Sequence, residues 1–224
     1  MFQKLFTFIC VISFSITLFS CEDSKDDDTS LFVLLYSLIS MNTTGNATCK
    51  EAAFCRTFVA TNNGAGFSGN LGGVSGADAK CMAEKPSTLT GSYKALIVAG
   101  GNSPRSIVPN KNNWVLFPNK EYRRKDGTTV TFTTNAQAIV TSNLSNGIDG
   151  GAKTYFWSGL SSPANGTGLW EEGNNCLEWT SASGVEPGQA GNTAEISADL
   201  TPEGAFTIDT HACNSNLKLL CVEQ

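Results

Sequence analysis

Eight cysteines in a chain of 224 residues limit what it can fold into more than any other feature. Thiols stay reduced in the cytosol, whereas exported chains join them in pairs. Cys10 lies within an apolar leader and Cys21 directly after it. Cys49, Cys55, Cys81, Cys176, Cys213 and Cys221 remain for the folded part. An even set in an exported chain predicts disulfides, with fifteen pairings possible in principle. Zinc is the competing use of clustered thiols. The chain has one histidine and no Cys-x-x-Cys pair, so no metal site and no cofactor is expected.

The export argument rests on residues 1–20, MFQKLFTFICVISFSITLFS, where one lysine precedes an apolar run from Leu5. That is the pattern of a secretory signal peptide. The apolar run, about 16 residues, is shorter than the roughly 20 that a helix needs to span a bilayer. In LFSC the small residue Ser20 precedes Cys21, and Leu18 stands three positions before it. This resembles the lipobox of bacterial lipoproteins, with Phe19 fitting the looser form found in spirochaetes. The resemblance implies lipidation of Cys21 and attachment to a membrane through that lipid. EDSKDDDTS follows, a solvated acidic tether. As a flexible coil, the stretch from Glu22 to Thr48 averages about 30 Å end to end.

Without leader and tether the balance is 13 basic against 15 acidic side chains, so the acidity belongs largely to the tether. No broad basic face is expected, and nucleic acid is excluded as a partner. Residues 31–40, LFVLLYSLIS, are too short to cross a membrane. They either lie on the bilayer or pack as a short helix. Residues 21–55 therefore read as lipidated cysteine, tether and linker, with a small loop from Cys49 to Cys55 that can close on itself. Residues 56–224 read as one folded domain, long enough to bury a core.

Within that domain NLGGVSGADAKCMAEKP, residues 70–86, predicts a short helix. Ser75 is placed as its cap, Asp78 as the capping-box acid, and Pro86 as its stop. Ala77 and Cys81, four apart, share its inner face. Strands are expected in RTFVAT, YKALIV, NNWVLFP, YFWSGL and LKLLCVEQ. YRRKDGTTVTF reads as a hairpin about Asp126-Gly127. The glycine-rich stretch from Ser161 to Gly191 reads as a long irregular segment of the functional kind. A helix near the start of a domain and a strand at its end often pack together, which makes Cys81 and Cys221 candidate partners.

FWSGL, residues 156–160, resembles the Trp-x-Gly-Leu core motif of the C-type-lectin-like fold. FVATN, GGVSGADAKC, Tyr93-Lys94-Ala95-Leu96, CLEWTS and LLCVE follow the order of related segments in the endostatin domain of certain collagens. They are also similar to leptospiral lipoproteins of unknown function. The resemblance covers about residues 56–224. It implies an α+β fold of small twisted antiparallel sheets, one or two short helices and a long irregular loop region. It implies nested disulfides, Cys81–Cys221 outside and Cys176–Cys213 inside, with Cys49–Cys55 apart. Trp157 is expected in the core, and Gly159 where a neighbouring backbone approaches closely.

Calcium-dependent lectins gather loop oxygens around the ion. Here Glu186-Pro187-Gly188 has glycine where those lectins carry an amide, and FTIDTHAC offers only Asp209. Binding is therefore expected to be calcium-independent. A serine hydrolase needs a base beside its nucleophile. His211 is the lone histidine, and the strand reading sets it and Asp209 on alternate faces. GFSGN and GVSGA lack the last glycine of a nucleophile elbow. Glu171, Glu172 and Glu178 read as charged loop residues rather than a glycosidase pair. KEYRRK, residues 120–125, is the strongest basic cluster and reads as a solvated hairpin flank.

The chain is thus expected to be a non-catalytic binding module, exported to the cell outer membrane and exposed at its surface. A host matrix protein or a glycan is the expected partner, with Trp170, Asn174, Asn175 and Glu186 as ligand-binding candidates. A structural envelope protein without soluble ligand and a hydrolase are the alternatives.

Overall fold

A computed structural model describes residues 48–100, 105–107, 111–161, 170–197, 204–207 and 209–224. The leader, Cys21, the tether and residues 31–40 lie outside the described residues. In chain order the elements are β1 (Phe54–Ala60), α1 (Gly73–Ala83), β2 (Tyr93–Ala95), β3 (Glu121–Arg124) and β4 (Val130–Thr133). They continue with β5 (Tyr155–Trp157), β6 (Leu160–Ser161), β7 (Glu171–Glu172) and α2 (Cys176–Trp179). The chain closes with β8 (Pro187–Asn192), β9 (Asp209–Ala212) and β10 (Lys218–Glu223). This is an α+β fold, mostly sheet, with two short helical segments and three disulfides.

The last strand organises the sheet. β10 pairs antiparallel with β1 along one edge, while its other edge is shared by β5, parallel, and β2, antiparallel. The path β4-β3-β1-β10-β5-β8-β9 leaves β4 and β9 at the ends. Both faces are covered, which explains the unbroken apolar run in KLLCVE. Leu219 and Cys221 point to one core with Phe58, Val74, Ala77, Cys81, Trp157 and Trp179. Leu220 and Val222 point to the other, with Tyr122, Phe132, Phe156, Trp170 and Phe206.

α1 begins ahead of its expected cap. Gly72, with φ 82°, is the N-cap, and no side chain caps the helix. Ser75 therefore lies inside the first turn. Glycine is needed at 76 because a Cβ there would stand 2.2 Å from the Leu71 carbonyl oxygen. Asp78 is drawn inward instead of capping. Its carboxylate accepts from the Ala95 N–H at 2.9 Å and meets both terminal nitrogens of Arg105, at 3.0 and 2.7 Å. Arg105 is fully buried and also donates to the carbonyls of Ala95 and Asn113. The helix ends at Ala83, before Pro86. Ala77 and Cys81 do share its buried face.

The hairpin forms around Asp126-Gly127, where the Asp126 carboxylate accepts from both N–H groups and the hydroxyl of the following threonines. Those hydrogen bonds hold its carboxyl well below the usual range. YKALIV extends as a strand only to Ala95. NNWVLFP is not a strand. Val115 and Leu116 are buried, and the Phe117 N–H donates to the Tyr122 hydroxyl rather than to a ladder partner. Residues 170–191, the described part of the glycine-rich stretch after Ser161, are more regular than expected, since they hold β7, α2 and most of β8.

The strand character of PGQAGN comes from what faces it. A Cβ on Gly191 would lie 2.4 Å from Phe156 Cζ, and one on Gly188 2.7 Å from Trp157 Cζ3. β8 is glycine-rich because the rings of β5 occupy the space its side chains would fill. Six cysteines are joined as Cys49–Cys55, Cys81–Cys221 and Cys176–Cys213. The folded unit takes in the small loop ahead of residue 56, where the Cys49 N–H donates to the carbonyl of Gln224.

Candidate functional site

The Cys176–Cys213 disulfide anchors the segments that converge at one end of β8. It is packed between two glycines. A Cβ on Gly69 would fall 2.3 Å from Cys176 Sγ, and one on Gly188 2.6 Å from it. On one side the Cys213 N–H donates to the Glu186 carbonyl at 2.8 Å. On the other, the Gln189 N–H donates to the Asn174 carbonyl at 2.7 Å, and Asn175 bridges to Gly188. Position 188 has no room for an amide side chain.

The disulfide carries an unusual turn. Cys176, Leu177, Glu178 and Trp179 all have left-handed backbone, with φ of 52°, 53°, 55° and 66°. Each such non-glycine residue costs roughly 1–2 kcal/mol. Hydrogen bonds hold it there besides the disulfide, among them those of Thr180 to the Leu177 carbonyl and of the Leu71 N–H to the Trp179 carbonyl. The Asn175 Oδ1 accepts from the Glu178 N–H, the Trp179 N–H donates to the Asn175 carbonyl, and the Ser181 N–H to that of Cys176. Trp179 is buried against Trp157, and its indole N–H donates to the Val98 carbonyl at 2.6 Å. Trp157 likewise donates to the Phe67 carbonyl. Gly159, with φ 67°, sits where a Cβ would meet that Val98 oxygen at 2.5 Å. Both ends of the turn are therefore core, while its middle faces solvent: Leu177 is 58% exposed and Glu178 is exposed.

Of the expected ligand-binding residues, Asn174, Asn175 and Glu186 come together around this disulfide. Asn174 is exposed and Glu186 half-buried, while the Asn175 side chain is committed to the turn. Trp170 does not join them. It is 2% exposed and packs on Trp114 and Phe206, so it is a core residue and not a contact for ligand. Val185, 88% exposed, belongs to the same loop and gave no signal in the sequence beyond its place there.

His211 and Asp209 share a face, because residues two apart on a strand point the same way. The expectation that they alternate fails. His211 Nε2 lies 3.7 Å from Asp209 Oδ2, enclosed and without a hydrogen-bond partner among the described residues. The imidazole rests on Tyr155 at 4.7 Å. Glu172 accepts from the Ile107 N–H, while Glu171 is exposed. Among the described residues no three histidine, cysteine or carboxylate groups cluster as metal ligands.

The basic cluster turns out to be largely internal bracing. Lys120 donates to the carbonyls of Lys50 and Ala52, Arg123 to Glu121 and the Gly127 carbonyl, and Arg124 to the Gly147 carbonyl. Arg123 and Arg56 also lie over the Phe54 ring, at 4.0 and 5.2 Å.

Residues 64–196, more than half of the chain, match the model of a family described as "Protein of unknown function (DUF1554)". The matched stretch contains α1, β5, the left-handed turn and β8. No curated protein matches the chain.

Proposed function

We propose a non-catalytic binding role for this chain, which belongs to the DUF1554 family. In this reading it is an exported bacterial lipoprotein, held by a lipid on Cys21 to the outer membrane and displayed at the cell surface. Its folded region is a C-type-lectin-like module, similar to endostatin, that recognises a host matrix protein or a glycan without calcium. The observation that carries the reading is the turn Cys176–Trp179. A fold needs no left-handed run of four residues to bury Cys176 and Trp179, and strain of this kind concentrates at functional sites. Here it holds Leu177 and Glu178 out into solvent on a rigid, disulfide-anchored base. Loops so mounted are where binding residues gather.

The lectin-like assignment is supported by the outer disulfide between α1 and β10, the inner one in the loop region, and the paired indoles of Trp157 and Trp179. Glycine at 188, walled in by Cys176 and Trp157, supports calcium independence. The His211 ring rests on Tyr155 and its Nε2 has no hydrogen-bond partner among the described residues, which supports a role without turnover. An array of matrix proteins and glycans, read with and without a chelator, tests the binding role. Saturable, chelator-insensitive binding is expected, and its absence across the array refutes the reading. Protease treatment of intact cells tests the location: the domain is expected to be cleaved without lysis. Fatty-acid labelling lost in Cys21→Ser tests the anchor.

A further inference from the structure

Charge is divided sharply along this chain. From Thr154 to Leu217 there are eight carboxylates and no lysine or arginine. Residues 48–153 hold 12 basic and six acidic side chains. Half of those cations are spent inside the fold: Lys80, Lys85, Lys120 and Arg124 each donate to backbone carbonyls, and Arg105 and Arg123 to carboxylates as well. On the loop side, by contrast, Glu178 stands in solvent and Glu186 is half-exposed.

Two of the most exposed large apolar side chains, Leu177 and Val185, lie on that loop side. Leu177 adjoins Cys176, and Val185 adjoins Glu186, whose carbonyl is bonded to the N–H of Cys213. They flank one disulfide. Each has a carboxylate as its next neighbour in sequence, Glu178 and Glu186. Sugar recognition by stacking needs the face of an aromatic ring. Trp157, Trp170 and Trp179 are buried, and the Trp114 indole is tied to the Ala138 carbonyl. A sulfated or phosphorylated polymer would meet charge of its own sign.

We infer that residues 174–187, beside the Cys176–Cys213 disulfide, dock a protein of basic surface, with Leu177 and Val185 as apolar anchors and Glu178 and Glu186 as flanking charges. This rests on the binding role proposed above and narrows it to one class of partner. The anchors enter apolar pockets, which supplies most of the contact energy. The carboxylates steer approach, so binding weakens as salt rises.

Surface plasmon resonance of the full chain against type I collagen and lysozyme, both basic, serum albumin, acidic, and heparin tests this. Collagen is expected to bind, more weakly at high salt. Leu177→Asn is expected to weaken it by at least about tenfold, with an unchanged unfolding midpoint, because asparagine tolerates the left-handed backbone. Val185→Ser, at an open position, and the pair Glu178→Gln/Glu186→Gln are expected to weaken it likewise. Binding to heparin or albumin without collagen overturns the inference and leaves the binding role standing. Equal binding to collagen and lysozyme that ignores Leu177→Asn and Val185→Ser also overturns it. Binding to none of the four overturns the inference, while the binding role is decided by the wider array.

Discussion

Replacing Arg105 with methionine removes a fully buried cation and leaves Asp78 behind. The guanidinium makes two bonds to that carboxylate, at 3.0 and 2.7 Å, one to the Ala95 carbonyl at 2.7 Å and one to the Asn113 carbonyl at 3.1 Å. Breaking a buried pair from one side costs roughly 3–5 kcal/mol, because the remaining charge is uncompensated. Two effects place this case near the lower end. The Asp78 side chain is 21% exposed, so water reaches it, and it keeps the Ala95 N–H. Methionine also preserves much of the apolar stem. A loss of about 3 kcal/mol is expected. Urea unfolding with disulfides intact, read by far-UV circular dichroism and tryptophan fluorescence, measures it if both probes agree. Asp78→Leu combined with Arg105→Met is expected to lose about 2 kcal/mol less than the sum of the single changes. A loss below about 1 kcal/mol for Arg105→Met, the range of a surface ion pair, refutes the claim that this pair locks α1 to β2.

Gly191→Ala places a methyl 2.4 Å from Phe156 Cζ and 2.5 Å from the Ala205 carbonyl oxygen; a loss of about 2 kcal/mol in the same urea assay is expected, as for overpacking. Burial raises the Tyr93 and Tyr122 phenols far above their ordinary value, aided at Tyr93 by Glu223. A raised folded value gives stability that is whole below pH about 10 and lost as pH climbs beyond it. Near-UV absorbance titration should therefore show two of the tyrosines ionising late, together with unfolding. By loop entropy the Cys81–Cys221 bond, spanning 140 residues, contributes about 5 kcal/mol and Cys176–Cys213, spanning 37, about 4. Paired serine substitutions compared by urea unfolding should rank in that order.

How far the sequence could be read depends on whether a segment's form is set locally. The Asp126-Gly127 hairpin was legible because its turn residues supply their own hydrogen bonds. LKLLCVEQ was legible because a strand buried on both faces is apolar throughout. β8 was not, since PGQAGN is dictated by Phe156 and Trp157 across the sheet and reads locally as loop. The start of α1 was misread for a related reason. Ser75 and Asp78 fit a capping box, but Arg105, distant in sequence, claims the carboxylate. Trp170 looked like a loop aromatic because nothing nearby reveals Phe206 and Trp114 closing over it. At the site, Asn174, Asn175 and Glu186 could be named from the loop they occupy. The left-handed turn could not, because residues such as leucine and tryptophan give no sign of adopting it.

Hydrogen–deuterium exchange of the chain with and without a saturating binding partner from the matrix array addresses the binding face most directly. New protection is expected at residues 174–187 and 209–214, around Cys176–Cys213, with the β3–β4 hairpin unaffected. Protection confined to the hairpin and β1, leaving Leu177 and Val185 unchanged, would contradict the placement of recognition on the disulfide-closed loop.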